Sequence, residues 1–272
     1  MRGIDREKLL GFCRIEKDSP LYPPLLREIY DPPKVLYCRG RLPNPERPAV
    51  ALVGTRHPSV AASVQALALG QNFARAGITV ISGLALGIDA LAHRGCLEGG
   101  GPTAAVLGSS VDEVFPASNR DLARRILRTG GSLLSEYDPG TKPRKHYYPQ
   151  RNRIISGLAR ATVIVEAPAA SGALHTARFA LEQGRDLFVA SAGVASPLGE
   201  GTRALADEGC PVISRAEDIL AEWGWEIPLG VKGEGSSLPE WNEQNRRNGE
   251  SLPYSGQPGL SLAVSLKQEL DL

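Results

Sequence analysis

The order of strand-like and helix-like segments predicts an α/β protein, an open parallel sheet with helices on both faces. Three observations carry this. Apolar runs of four to six residues alternate with longer helical patterns over residues 49–226. Several runs end in glycine or a small polar residue, as buried parallel strands do. Such alternation implies right-handed βαβ units, whose sum is a Rossmann-like open sheet.

The elements follow in order. Ala49-Val50-Ala51-Leu52-Val53-Gly54 is the first buried strand. Residues 59–76 have helical apolar spacing, and Gly77 ends them. Ile78 to Gly83 is a strand, 87–97 a helix, and Thr103 to Gly108 a third strand. Residues 119–128 form a basic helix closed by Gly130-Gly131, and Ser132 to Glu136 is the fourth strand. A helix at 150–160 leads to the strand Thr162 to Glu166. A helix at 173–183 leads to the strand Leu187 to Ala190. A helix near 201–208, a strand at 211–213 and a helix at 216–225 complete the set.

Outside this zone the texture changes. Residues 1–48 are Pro-rich and read as a short irregular extension. Residues 227–272 are rich in Gly, Pro, Ser and Asn, and read as a linker or weakly ordered tail.

The chain has 272 residues, 42% of them apolar and 22% charged. That is an ordinary globular composition with ample material for a core. With 31 basic and 30 acidic residues the formal charge is +1, so a polyanion would need a local basic patch. Cysteines at 13, 38, 96 and 210 form no CxxC pair, which argues against zinc ribbons and disulfide scaffolds and leaves small buried thiols. Charged residues precede any apolar stretch at the N-terminus, and no apolar run reaches membrane-span length. The expectation is a soluble, cytoplasmic protein.

In sheets of this kind, ligands bind beyond the carboxyl ends of the strands. Gly54-Thr55-Arg56 offers close backbone approach, a hydroxyl and a planar cation suited to phosphate. The same residues also suit a tight turn with a surface arginine. Ser82-Gly83-Leu84-Ala85-Leu86-Gly87-Ile88-Asp89 is a glycine-rich loop without the G-x-G-x-x-G spacing or a Walker lysine. Its Asp89 reads as a helix first-turn residue, and His93 as structural.

Residues 142–153 hold five basic residues, no acid, and the pair Tyr147-Tyr148. Cations take phosphates and rings stack on bases, so the run suits single-stranded nucleic acid, against the plainer reading of a solvated face. Five phosphate contacts would give a log–log salt slope of roughly −3.5, at about −0.7 per contact. Glu166 ends a strand before Ser171-Gly172. It suits a ribose hydroxyl or a phosphate pocket, and equally a loop in which Ser171 caps a helix. Neither a G-x-S-x-G elbow nor an H-E-x-x-H motif is present, and the four histidines lack metal-ligand spacing. The pattern is that of a binder, with no catalytic residue, metal or cofactor indicated.

Taken in order, these motifs resemble the DNA-processing protein A (DprA/Smf) family. The resemblance runs from Tyr22-Pro23 through Gly54-Thr55-Arg56, Ser82-Gly83-Leu84-Ala85 and Gly87-Ile88-Asp89. It continues in Leu134-Ser135-Glu136-Tyr137, Pro149-x-Arg151-Asn152-Arg153, Val165-Glu166-Ala167 and Ser171-Gly172. It implies a non-enzymatic protein of natural transformation and recombination. Such a protein binds and protects incoming single-stranded DNA, forms a homodimer and helps load the RecA recombinase. Carried over residue by residue, Arg56, Lys145 and Arg151 would contact phosphates and Tyr148 would stack, beside Gly54, Thr55, Ser82, Gly83, Asn152, Ser171 and Gly172. Arg153 belongs to the same motif, with an alternative role anchoring the fold through a buried carboxylate such as Glu166.

Departures are also visible. Few residues precede Tyr22, so a helical SAM-type N-terminal domain is absent or vestigial. Residues 259–272 resemble one helix of the family's winged-helix domain, and the tail reads as its remnant. Two alternatives stand beside this reading. One is a nucleotide-binding sensor module. The other is a LOG-type phosphoribohydrolase, whose P-G-G-x-G-T-x-x-E signature this chain lacks.

Overall fold

The computed structural model describes residues 11–225. The expected tail and winged-helix remnant at 227–272 lie outside the described residues, as do residues 1–10.

The strands are β1 (Cys13–Glu16), β2 (Val35–Gly40), β3 (Ala49–Val53), β4 (Thr79–Ser82), β5 (Thr103–Val106), β6 (Ser132–Ser135), β7 (Ala161–Ile164), β8 (Asp186–Ala190) and β9 (Val212–Ile213). They form one sheet in the order β1-β2-β6-β5-β4-β3-β7-β8-β9. From β6 to β9 all neighbours are parallel, and β1 and β2 add an antiparallel edge. The helices are α1 (Pro24–Arg27), α2 (Val60–Arg75), α3 (Ile88–Glu98), α4 (Arg120–Arg128), α5 (Tyr147–Gly157), α6 (Gly172–Glu182), α7 (Ser191–Ala195), α8 (Glu200–Asp207) and α9 (Ala216–Glu222).

Strand alternation divides the core by face. Ala49, Ala51 and Val53 of β3 point into a cluster with Ile154 and Ile155 of α5 and Leu174 and Ala177 of α6. Val50 and Leu52 point the other way, against Ala66, Leu69 and Phe73 of α2 and Ile88 and Cys96 of α3. Both faces of β3 are thus buried, which is why its sequence is an unbroken apolar run. A smaller cluster packs Leu122, Ala123 and Ile126 of α4 on Ala105 of β5 and Leu133 of β6.

Three expectations change. Residues 13–40 are not irregular: they contribute β1, α1 and β2. In β1 Ile15 alone is buried, so no apolar run marks it. The Pro-rich loop is pinned where the Tyr22 hydroxyl donates to the Pro33 carbonyl at 2.7 Å. Helix α5 starts at Tyr147, three residues ahead of the expected 150, because a proline in the first helical turn removes no intrahelical bond. Cys13 is exposed, whereas Cys38, Cys96 and Cys210 are the expected buried thiols.

Candidate functional site

The chain runs from β3 outward through β4, β5 and β6, then returns to lay β7 on the other side of β3. This reversal opens a crevice at the carboxyl ends of the strands, where open α/β sheets bind ligands. A cleft of about 910 Å³ lies there. Its walls come from five loops: 54–57 after β3, Ala85 after β4, Phe115 after β5, the segment 143–152 after β6, and the turn from Pro168 to Ala173 after β7.

The first wall is held from behind. The Thr55 N–H donates to the Glu166 carbonyl at 2.7 Å, and the Ile88 N–H to the Thr55 carbonyl at 3.1 Å. Gly87 has φ of 73°, and a Cβ there would lie 2.4 Å from the Thr55 carbonyl oxygen. Only glycine meets both demands. Arg56 is exposed at the rim, and among the described residues no carboxylate lies within ion-pair distance of it.

The loop from Gly83 to Gly87 is locked. Leu84 is fully buried and left-handed, with φ of 56°, a conformation costing on the order of 1–3 kcal/mol that its surroundings must hold. Asn119 Nδ2 donates to the Leu84 and Ala85 carbonyls at 2.9 and 3.1 Å. The Asp89 carboxylate accepts from the Gly83 and Ala85 N–H groups at 3.1 and 3.3 Å. Burial pushes the Asp89 carboxyl up, while Arg151 and these bonds oppose the shift. Asp89 is the first-turn residue that the sequence indicates. His93 is structural as well: its Nδ1 lies 2.7 Å from the Thr103 hydroxyl, and burial pushes its imidazole down to about 3.

The basic segment separates into two populations. Arg144 and Lys145 are exposed on the cleft wall, and among the described residues neither has an ion-pair partner. Arg151 is buried. Its Nη1 donates to the Gly83 carbonyl at 2.7 Å and to the Val106 carbonyl, tying α5 to the ends of β4 and β5. Arg153 is absent from the cleft lining. Its guanidinium forks onto Glu136 at 2.6 and 2.7 Å, and its Nε meets Asp31 Oδ2 at 3.0 Å. The anchoring carboxylates are therefore Glu136 and Asp31, not Glu166. Glu166 instead accepts the Ser59 N–H at 2.7 Å, at the start of α2.

The adjacent tyrosines part too. Tyr147 stacks on Tyr137 outside the cleft, centroids 3.8 Å apart and planes 17° apart. Tyr148 lines the cleft, its ring seated on Gly108, where a Cβ would come within 2.7 Å of Tyr148 Cδ1. Burial pushes its phenol up, so the ring stays neutral at ordinary pH. Phe115, 54% exposed, flanks it at 6.0 Å between centroids.

On the β7 side, Ser171 caps α6 by accepting the Ala173 N–H at 3.3 Å. Asn152 Nδ2 donates to the Gly172 carbonyl at 3.1 Å. Gly54, Thr55, Arg56, Lys145, Tyr148, Arg151, Asn152, Ser171 and Gly172 thus share one cleft. Ser82 and Gly83 lie behind it. The Ser82 hydroxyl donates to the Leu52 carbonyl at 2.6 Å, and Gly83 accepts Arg151. Sequence reasoning missed Phe115, since an aromatic in a loop reads as core; the Pro116 beside it is the available signal. Among the described residues no group of three or more His, Cys, Asp and Glu side chains could hold a metal.

Comparison with known proteins follows the same boundaries. The family model for DNA recombination-mediator protein A matches residues 14–224. Protein Smf of Synechocystis sp. is 43% identical over 225 residues, covering 81% of this chain and 56% of its own length. The DNA processing protein DprA of Streptococcus pneumoniae is 39% identical over 204 residues, covering 74% and 71% of the two chains. The solved structure of that protein superposes with a TM-score of 0.71 at 37% identity, covering 78% and 74%. A structure of DNA processing protein A from Helicobacter pylori, described for its mode of binding single-stranded DNA, gives 0.68 at 27% identity, covering 78% and 94%. The chain therefore spans just over half of its Synechocystis relative.

Proposed function

The chain belongs to the DNA recombination-mediator protein A family, and from that premise we propose that its strand-end cleft binds single-stranded DNA. The observation that carries this is the convergence of free exposed cations, Arg56 and Lys145, on a half-exposed aromatic ring, Tyr148. Polyanion and base faces need those two chemistries side by side. In this reading Arg56 and Lys145 hold phosphates, and Tyr148 stacks on a base with Phe115 beside it. The backbone of Gly54, Thr55, Ser171 and Gly172 approaches the strand, with Asn152 fixing the last of these. Arg151, Ser82 and Gly83 position the walls, and Arg153 anchors the frame.

The wider reading is a cytoplasmic mediator of transformation and recombination that acts by binding rather than catalysis. It would protect the strand, pair with a second copy of itself and load RecA. The DNA-processing relatives support it.

The test is fluorescence anisotropy with a labelled single strand of ~30 nucleotides, with duplex and AMP as competitors. Expected is salt-sensitive binding that prefers the single strand and weakens about tenfold in Arg56→Ala or Lys145→Ala. A folded protein that ignores the strand at low salt and binds AMP would be a nucleotide-sensing module instead.

A further inference from the structure

Helix α4 reads RDLARRILR, four arginines against one aspartate. Its apolar side, Leu122, Ala123 and Ile126, is buried on the sheet. Arg120, Arg124 and Arg128 recur at i, i+4 and i+8, so they share one exposed stripe of about 12 Å opposite the buried side. The stripe starts at the cleft. Asn119, the preceding residue, bonds the Leu84 and Ala85 carbonyls, and both Ala85 and nearby Phe115 line the cleft.

A solvated helix face is the plainer account, and it explains part of the pattern. Arg125 and Arg128 occupy the last turn, where the macrodipole favours cations. Arg124 pairs with Asp121 at 2.6 Å, a solvent-exposed pair weak enough for a phosphate to replace the carboxylate. Arg120 fits neither explanation. It opens α4 directly after a 3-10 turn at Ala117–Asn119, far from the last turn, and among the described residues no carboxylate lies within ion-pair distance of it or of Arg128. Neither the macrodipole nor an ion pair among the described residues accounts for its exposed charge.

We infer that Arg120, Arg124 and Arg128 form a second phosphate track, which takes a single strand as it leaves the cleft. The inference rests on the cleft being the DNA site. Charge complementarity selects a polyanion, and continuity with the cleft selects the strand already held there. The linear repeat, one cation per turn of about 6 Å, suits successive phosphates of an extended chain rather than a compact acidic surface.

The test compares the full chain with its Arg120→Gln/Arg124→Gln/Arg128→Gln variant on two labelled strands. One, of ~6 nucleotides, fills the cleft alone, and the other is ~30 nucleotides long. All three side chains are exposed, and the urea midpoint checks that the fold is kept. Expected is hexamer affinity within twofold of the parent and long-strand affinity down about tenfold, with the log–log salt slope shallower by about 2, at about 0.7 per contact. Long-strand affinity and slope equal to the parent's would overturn the track. Lys145→Ala separates the two ideas. If it weakens hexamer binding about tenfold while the triple variant keeps the parental long-strand slope, the track alone falls. If the parent binds neither strand, both ideas fall together.

Discussion

The two halves of the segment 142–153 have similar composition and opposite fates. Its first half, up to Tyr148, presents Arg144, Lys145 and an aromatic ring to an open cleft. Its second half buries Arg151 against two carbonyls and Arg153 against two carboxylates. A count of basic residues is therefore not a count of contacts. What separates the halves is whether each cation already has a buried carbonyl or carboxylate as its partner.

The comparison breaks most readily at Arg153. Replacing it with alanine leaves the partly buried Glu136 without its partner, at a cost of up to about 3 kcal/mol, the low end for a broken buried pair. A large fall in the urea midpoint is expected, with hexamer affinity of the remaining folded protein near parental. A parental midpoint with lost binding would move Arg153 into the interface.

The buried frame behind the cleft has its own pH signature. The folded His93 pKa, about 3, lies below the ordinary imidazole value of about 6.5. Between those values the unfolded chain binds the proton that the folded chain refuses, so stability falls as pH drops. The loss is about 1.4 kcal/mol per pH unit, hence roughly 2–3 kcal/mol from pH 6 to 4. Denaturant titrations of the parent and His93→Gln at both pH values check it. Equal pH dependence in the two proteins would show that His93 does not supply it.

The tyrosines sharpen the contrast with the smallest effect. Tyr148→Ala should weaken strand binding by about 1–3 kcal/mol, as loss of one stacked base does, and Tyr148→Phe should restore it. Tyr147→Ala, outside the cleft, should leave hexamer affinity within twofold. Equal losses from the two alanine variants would mean that the ring's seat on Gly108 does not select it.

Much of this architecture is legible in the residues, for a local reason. β3 and β7 are buried on both faces, so apart from Thr162 their side chains are apolar, and a one-dimensional pattern suffices. β1 buries Ile15 alone, so its pairing with β2, across the loop between Glu16 and Val35, leaves no local apolar pattern. The candidate site divides similarly. Residue types and order bring Arg56, Lys145 and Tyr148 forward. Nothing local distinguishes Arg151 from Lys145, or Tyr147 from Tyr148. The partners that decide, Gly83, Val106, Gly108, Glu136 and Asp31, come from other strands and loops.

The locked loop behind the cleft has a consequence for the entropy of binding. Leu84 is held in its left-handed backbone by Asn119, and its neighbours by Asp89 and Arg151, all before any ligand arrives. This part of the wall gave up its conformational freedom on folding and has little left to lose on encounter. The ordering cost there falls on the flexible strand, so strand stiffness governs that share of the affinity more than any adaptation of the protein.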